Sequence, residues 1–559
     1  MKMNRLSQWL LVVIILLAAF LRFYQLGVNP PALSWDEVAW GYNAYSVGID
    51  GRDEFGHFLP YTSFVSFGDY KPPVYAYLDV VPVWLFGLTA FAVRFPSALF
   101  GTLTVLMTYF LVKELFNIHE TEKKNKQNYI EYLALTAALI MALSPWNIML
   151  SRAAFEANVA SFFIVFGVWA FLFAVRKKSW ILILSVVSFV LCMYTFNSVR
   201  VVAPLLCLLL VLTHIKYLWN MKKATVAAFI VGILLLAPIV PFLLSSDARL
   251  RYQEVNIFSD FDVVKTANQQ IANNHNAKWS KFIDNRRFGY GQDFLKHYFD
   301  NLNPGFLFIT GDPNPKFSTQ DIGQMYLWDL PFFVIGILFL FRERRGKWWL
   351  VPLWLLLGII PAAVAEQTPH ALRTEATLPT WQILTAYGFV TASYAIKRYR
   401  KQFVYSCLFI LLLFVGYYQH GYYTYYPQEY SLEWQYGYDQ IISYIKAQQS
   451  HYDRIYISGV GRGYIYPLFF LKYPPQQYRK ETKIYFDTFG FAHVVSFNKY
   501  TFMDNPGDVE DDFKALYIAQ TAKVPSNAII MRKFYLLNGT VDLIAYKLRP
   551  PKKKIQTAL

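Results

Sequence analysis

Repeated apolar runs constrain this chain more than any other feature. They lie at about 9–26, 95–116, 130–150, 155–175, 179–196, 199–215, 223–244, 326–341, 347–365, 377–396 and 402–421. Each is close to the roughly 17–25 residues that a helix needs to cross a bilayer. Only 16% of the 559 residues are charged and 55% are hydrophobic, whereas soluble domains carry roughly 25% charged residues. The chain reads as a polytopic α-helical membrane protein with about eleven spans. The same composition excludes disorder, collagen and a disulfide scaffold. Cys192, Cys207 and Cys407 all fall inside apolar stretches, and no Cys-x-x-Cys pair exists. No small-residue cleavage site follows the first run, which therefore reads as an uncleaved span.

The net charge of +16 is not a nucleic-acid signal, because the cations sit mainly in short loops between apolar runs. The run at 72–90 decides the parity. If it lies at the interface, one set of loops holds Lys2 and Arg5, Lys113, Lys123, Lys124 and Lys126, Arg176 to Lys178, Lys216 to Lys223, Arg342 to Lys347, and Lys397 to Lys401. The short loops of the other set hold single cations such as Arg52, Lys71 and Arg94. That asymmetry is the positive-inside pattern. It predicts a cytoplasmic N-terminus and an extracytoplasmic C-terminus, in the cell or inner membrane.

Two domains are expected. Residues 1–426 form the membrane domain, with a first outer loop at 27–94 and a large outer loop at 245–325. Residues 427–559 form an extracytoplasmic α/β domain, with a helical pattern at 436–449 and strand-like runs at 454–458, 484–489, 493–497, 527–532 and 541–547.

Ser34-Trp35-Asp36-Glu37 is the most informative stretch. Ser34 can cap a helix whose first turn holds both acids. The same acids can serve as a general base or a metal ligand. Asp69-Tyr70-Lys71-Pro72-Pro73 opens the interfacial segment. Lys71 reads either as a snorkelling lysine or as a phosphate contact at a helix start. Arg94, Arg152, Glu156, Arg200, His370 and Arg373 lie at the same ends of other spans. Singly they suit interfacial anchors; together they favour a functional site on that face. Gly459-Val460-Gly461-Arg462-Gly463 lacks the Gly-Lys-Ser/Thr ending of a phosphate loop and reads as a turn.

One span, a loop with Asp-Glu, Lys-Pro-Pro before an amphipathic segment, then Arg-Phe-Pro-Ser-Ala-Leu opening the next span: this order resembles the GT-C glycosyltransferases of the protein O-mannosyltransferase and aminoarabinose transferase group. The resemblance is strongest over about 27–115. It implies the GT-C fold and inverting transfer of a sugar from a polyprenyl-phosphate donor on the outer face. It implies Asp36 as the catalytic acid of the first loop, Lys71 as the lysine on the lipid phosphate and Arg94 as the arginine before the second span. It further implies Glu156 as the second acid, with Arg200 and Arg373 near the donor phosphate. His370 is grouped with these cations, and Glu37 and Glu156 with the catalytic acids. The family's Arg-Tyr after Asp-Glu is replaced here by Val38, Ala39 and Trp40.

Lys71, Arg94, Arg200 and Arg373 are enough to balance a phosphate, so no cofactor is expected, and a divalent cation such as Mn or Mg is not favoured. Expected partners are the polyprenyl-phosphate sugar, a lipid, protein or glycan acceptor, and membrane lipids. The rival reading is a transporter or flippase of a lipid-linked substrate, which would favour charges at mid-membrane and broken helices.

Overall fold

The computed structural model describes residues 5–117, 124–245, 256–458, 462–487, 492–505 and 512–550. Lys2, Lys123 and Gly459 to Gly461 lie outside the described residues. In chain order the first helices are α1 (Arg5–Phe23), α2 (Trp35–Asp50), α3 (Val74–Phe86), α4 (Ala90–Leu115), α5 (Lys124–Leu143), α6 (Pro145–Ser151), α7 (Glu156–Arg176), α8 (Leu182–Met193), α9 (Val199–Asn220), α10 (Lys222–Leu236) and α11 (Ile239–Leu244). The chain divides into two compact units.

The first unit comprises Met1–Leu26, Pro72–Tyr75 and Arg94–Tyr422. Every apolar run of the sequence falls on helix. Among the described residues five helices are long and apolar enough to cross a membrane: α1, α4, α7, α9 and Arg400–Thr424. A sixth span results if α5 and α6, which bend by 55° at their junction, are taken together. The remaining runs form shorter helices, including α8, Asp329–Glu343, Leu350–Ala363 and Thr380–Ala395. Hydropathy reports apolar length and is blind to helix breaks. Pro145 breaks one run and Pro238 separates α10 from α11, because proline lacks the amide hydrogen and clashes with the preceding turn. α3, at 13 residues, is about 20 Å long, short of a roughly 30 Å hydrocarbon core.

Helices Asp329–Glu343 and Thr380–Ala395 meet through two glycines. A Cβ on Gly336 would stand 1.9 Å from the Leu384 carbonyl oxygen, and one on Gly388 would stand 1.9 Å from that of Phe332. Small residues let membrane helices approach this closely. Two fully buried arginines also tie elements of the unit together. Arg22 donates to Asn147 Oδ1 at 2.5 Å and to the Ala142 carbonyl at 3.2 Å. Arg152 donates to the carbonyls of Leu21 and Tyr24 at 2.9 and 2.7 Å. Arg152 therefore serves as a clamp on the end of α1.

The second unit comprises Gly27–Lys71, Ala76–Val93 and Tyr423–Leu559. Most of the first loop groups with the tail in this unit. The loop supplies α2 and a hairpin of β1 (Phe64–Ser66) and β2 (Asp69–Lys71). The tail supplies β3 (Ile455–Ser458), β4 (Lys483–Phe486), β5 (Ala492–Phe497), β6 (Tyr500–Met503), β7 (Leu516–Gln520), β8 (Ala528–Tyr535) and β9 (Val541–Leu548). They form one sheet in the order β4-β5-β6-β3-β7-β9-β8, in which β3 runs parallel to β6 and β7. β6 and β7 are additional to the strands expected from sequence. Tyr456, Tyr517 and Tyr546 stack across β3, β7 and β9, with centroids 4.8 and 5.3 Å apart. Such cross-strand aromatic pairs fix register.

Loop and tail hold each other through Gly41 of α2. A Cβ there would stand 2.6 Å from the Phe469 ring, so only glycine admits helix Ile465–Phe470 at this distance. Nearby, Tyr42 donates its hydroxyl to the Tyr473 carbonyl at 3.0 Å, and Arg479 pairs with Asp50.

Candidate active site

The two adjacent acids of α2 do different things. Ser34 is its N-cap, in extended conformation. Glu37, three residues on, accepts from the Ser34 amide at 2.9 Å and from its hydroxyl at 3.3 Å. That is the return half of a capping box, and Glu37 is only 1% exposed. Its carboxylate is committed to holding the helix start. Asp36 forms an ion pair with Lys71, Nζ to Oδ1, at 2.5 Å. Its side chain is 46% exposed, while that of Lys71 is 10% exposed. Asp36 therefore faces outward, within reach of a ligand, and Glu37 supports it from beneath.

Lys71 is the last residue of β2, not the first turn of a helix, since α3 begins at Val74. Its direction is set by the hairpin. Ser66 pairs with Asp69, leaving a two-residue turn of Phe67 and Gly68 with φ of +57° and +74°. Positive φ at both positions is the type I′ pattern. Glycine adopts it freely, but Phe67 does so under strain. The strained residue presents its ring 5.2 Å from Lys71 Nζ, and Trp40 stands at the same distance. Trp40 lies four residues after Asp36, one turn along the same helix face. Thus α2 supplies both the carboxylate and one ring around the lysine.

Arg462 of the tail joins this aromatic group, 5.0 Å from the Phe67 ring and 5.4 Å from that of Trp35. A buried polar cluster lies below. Asn43 accepts from the Glu54 amide at 3.0 Å and donates to Ser66 Oγ at 3.3 Å. Tyr464 donates its hydroxyl to Glu54 Oε1 at 3.3 Å and meets Phe67 edge to face. Glu54 is fully buried. Burial, and then the neighbouring Asp53, push its carboxyl up to about 8. It is a neutral acid at pH 7 and does not compete with Asp36 for Lys71 as a full charge.

The other expected residues belong to the first unit. Arg94 is buried in α4 and donates to the Leu26 carbonyl at 3.1 Å. Arg200, in the first turn of α9, donates from Nε to the Met193 carbonyl at 3.0 Å and lies over the Phe242 ring. Glu156 opens α7. Its charge, after burial, helps hold the buried Glu375 carboxyl well above the usual range. His370 stacks on Phe317 at 5.0 Å, with Nδ1 4.0 Å from Asp312. Burial, and then Arg373, lower it to about 3. His370 is therefore neutral. Asp312, pushed up to about 6 mainly by burial, accepts from the Ala371 amide at 2.6 Å. Among the described residues no group of three or more His, Cys, Asp or Glu side chains is placed to hold a metal ion.

Sequence reasoning singled out Asp36 and Lys71, read Arg462 only as part of a turn, and passed over Tyr464 and Glu54. Asp53-Glu54 repeats the Asp-Glu pairing of 36–37, and that was a usable signal. Arg462 had none, being one cation in a turn nearly 400 residues from its rings.

Residues 70–243 match the family model described as dolichyl-phosphate-mannose-protein mannosyltransferase. The segment includes Lys71, Arg94, Glu156 and Arg200. Two curated relatives from Bacillus subtilis (strain 168) bear the names "Putative mannosyltransferase YkcB" and "Putative mannosyltransferase YycA". They are 26% identical over 31% of this chain and 28% identical over 34% of it. The chain covers only 22% and 24% of their lengths. The crystal structure of ArnT from Cupriavidus metallidurans superposes with a TM-score of 0.54 at 12% identity, covering 97% of this chain and 98% of that one. The same protein bound to undecaprenyl phosphate gives 0.52 over 97% of both chains. At this identity the likeness is one of fold, and it extends over the whole chain. The protein is an integral membrane protein of the GT-C fold. Within that class, the family model matched by residues 70–243 and the names of the two relatives are those of mannosyltransferases.

Proposed function

We propose that this protein is a glycosyltransferase that moves a sugar from a polyprenyl-phosphate donor to an acceptor hydroxyl, with inversion, on the outer face of the membrane. The Asp36–Lys71 pair carries the reading. A half-exposed carboxylate and a lysine fixed by two rings are the base and the phosphate contact that such a transfer needs. Asp36 removes the acceptor proton as the acceptor oxygen bonds to the anomeric carbon. The bond from that carbon to the phosphate oxygen breaks, its electron pair stays on the phosphate, and Lys71 stabilises the charge that develops there. Glu37 keeps the helix start fixed. The position of Lys71 inside the matched segment supports the reading, as do the relatives' names and the fold.

The acceptor is a lipid headgroup, a protein hydroxyl or an envelope glycan, and the sugar is a hexose or a pentose. The proposed transfer includes no divalent cation. The N-terminus lies in the cytoplasm and the tail outside. The test is mass spectrometry of envelope lipids, glycans and proteins from cells with and without the gene. A sugar lost on deletion, restored by the wild type in the presence of EDTA and not by Asp36→Asn, is the expected result. Movement of the lipid-linked sugar across liposomes without release of polyprenyl phosphate would overturn the reading in favour of a flippase.

A further inference from the structure

Resting on the transfer just proposed, we propose that Arg462 of the tail binds the lipid-linked phosphate, and binds the released lipid phosphate more tightly than the donor. The chemistry of the product asks for a second cation. Transfer turns a phosphodiester with one negative charge into a monoester that carries about −1.5 to −2 at pH 7. Lys71 is already paired with Asp36 at 2.5 Å and supplies one charge to both anions.

Arg462 meets that need in three respects. It shares the Phe67 ring with Lys71, its Cζ at 5.0 Å from the centroid and the Lys71 Nζ at 5.2 Å. Among the described residues its guanidinium has no ion pair and no side-chain hydrogen bond. Arg479, in the same unit, is neutralised by Asp50. A guanidinium that stacks on rings presents its five N–H donors at its edge, in the fork that fits a phosphate. Its position is also fixed, although it sits in a turn. Tyr464 reaches Glu54 at 3.3 Å, Tyr466 reaches the Leu33 carbonyl at 3.5 Å, and Phe469 lies on Gly41. These contacts hold 464–470 onto the loop that carries Asp36, so Arg462 follows α2 as one body. The tail is thereby given a chemical role.

The test uses the full chain in detergent and two soluble probes: farnesyl phosphate, a monoester, and its methyl diester. Calorimetric titration gives both affinities for the wild type, Arg462→Gln, Arg462→Lys and Lys71→Gln. Arg462→Gln is expected to weaken farnesyl phosphate about 10–100-fold, the scale of a charge-assisted hydrogen bond, and the diester less. The preference for the monoester therefore shrinks. Arg462→Lys, which keeps the charge and loses the fork, falls in between, and it decides the matter if the glutamine variant does not fold. Wild-type affinity for both probes in both Arg462 variants, with Lys71→Gln weakened, overturns this assignment and leaves the transferase reading standing. Failure of the wild type to bind either probe overturns both.

Discussion

Asp36→Asn separates the chemistry of the site from its stability. The substitution keeps the shape and a hydrogen bond but removes the charge and the proton acceptor. Two charges about 4 Å apart at an effective dielectric of about 20 attract by about 4 kcal/mol before desolvation. Solvent screens most of that at a carboxylate whose side chain is 46% exposed; exposed pairs are worth about 0.2–1 kcal/mol. Removing one member of a buried pair costs about 3–5 kcal/mol, and Lys71, at 10% exposed, approaches that case. Its two rings at 5.2 Å retain about 0.5–1 kcal/mol each of cation–π attraction. The expected loss of stability is about 1–2 kcal/mol. The expected loss of turnover is about 100-fold or more, because a general base contributes about 10²–10⁴ in rate. Thermal unfolding in detergent measures the first, and release of polyprenyl phosphate from the donor measures the second. Near-normal turnover would refute Asp36 as the base. Equal collapse of folding and turnover would refute the separation, and with it the exposed, working position of this carboxylate.

Further outcomes follow from other contacts. Glu54 is protonated in the folded protein up to about pH 8, against an ordinary 4.5. Between those values only the unfolded chain releases the proton, so stability falls as pH rises; Glu54→Gln should flatten that fall between pH 5 and 8.5, and parallel melting curves would exclude the effect. Gly41→Ala puts a methyl 2.6 Å from the Phe469 ring and from Val93; it should destabilise by about 1–3 kcal/mol, and an unchanged melting midpoint would show that helix 465–470 yields freely. In intact cells an impermeant thiol reagent should label a cysteine placed at Asn303 and spare one placed at Arg345; the reverse pattern would invert the proposed topology.

Legibility in the sequence followed the range of each interaction. Apolar runs are local, and all of them fell on helix. Their breaks are less readable, because a proline such as Pro96 sits inside a continuous helix while Pro145 marks a bend of 55°. The capping motif Ser34-x-x-Glu37 is local too, and it explains why two neighbouring acids can be told apart in principle: the N3 residue is the one that returns to the cap. Lys71 was readable as a polar residue before Pro-Pro, but its hairpin was not. Phe67 at positive φ contradicts local preference, and no propensity rule would place an aromatic there. Strain of that kind persists only where the surroundings over-determine it. Here the surroundings are Lys71, Arg462 and Tyr464, the last two reached through the fold alone.

That distance in sequence bears on how the site works. The carboxylate and lysine come from a loop next to the first span, yet the Phe67 ring beside the lysine meets Tyr464 of the tail. Tyr464 touches both Phe67 and Glu54, and the neutral Glu54 adds no full charge to the buried layer. A charged Glu54 would draw Lys71 inward, away from Asp36, and loosen the pair. The neutrality of one buried acid and the strain of one aromatic therefore serve the same end, which is to keep the lysine at the surface beside the base. On this reasoning a tail without Tyr464 should release the hairpin before it unfolds the sheet. Hydrogen exchange at 64–71 in Tyr464→Ala should accelerate while β7 and β9 stay protected, and equal acceleration in both would show that the tail acts only as bulk support.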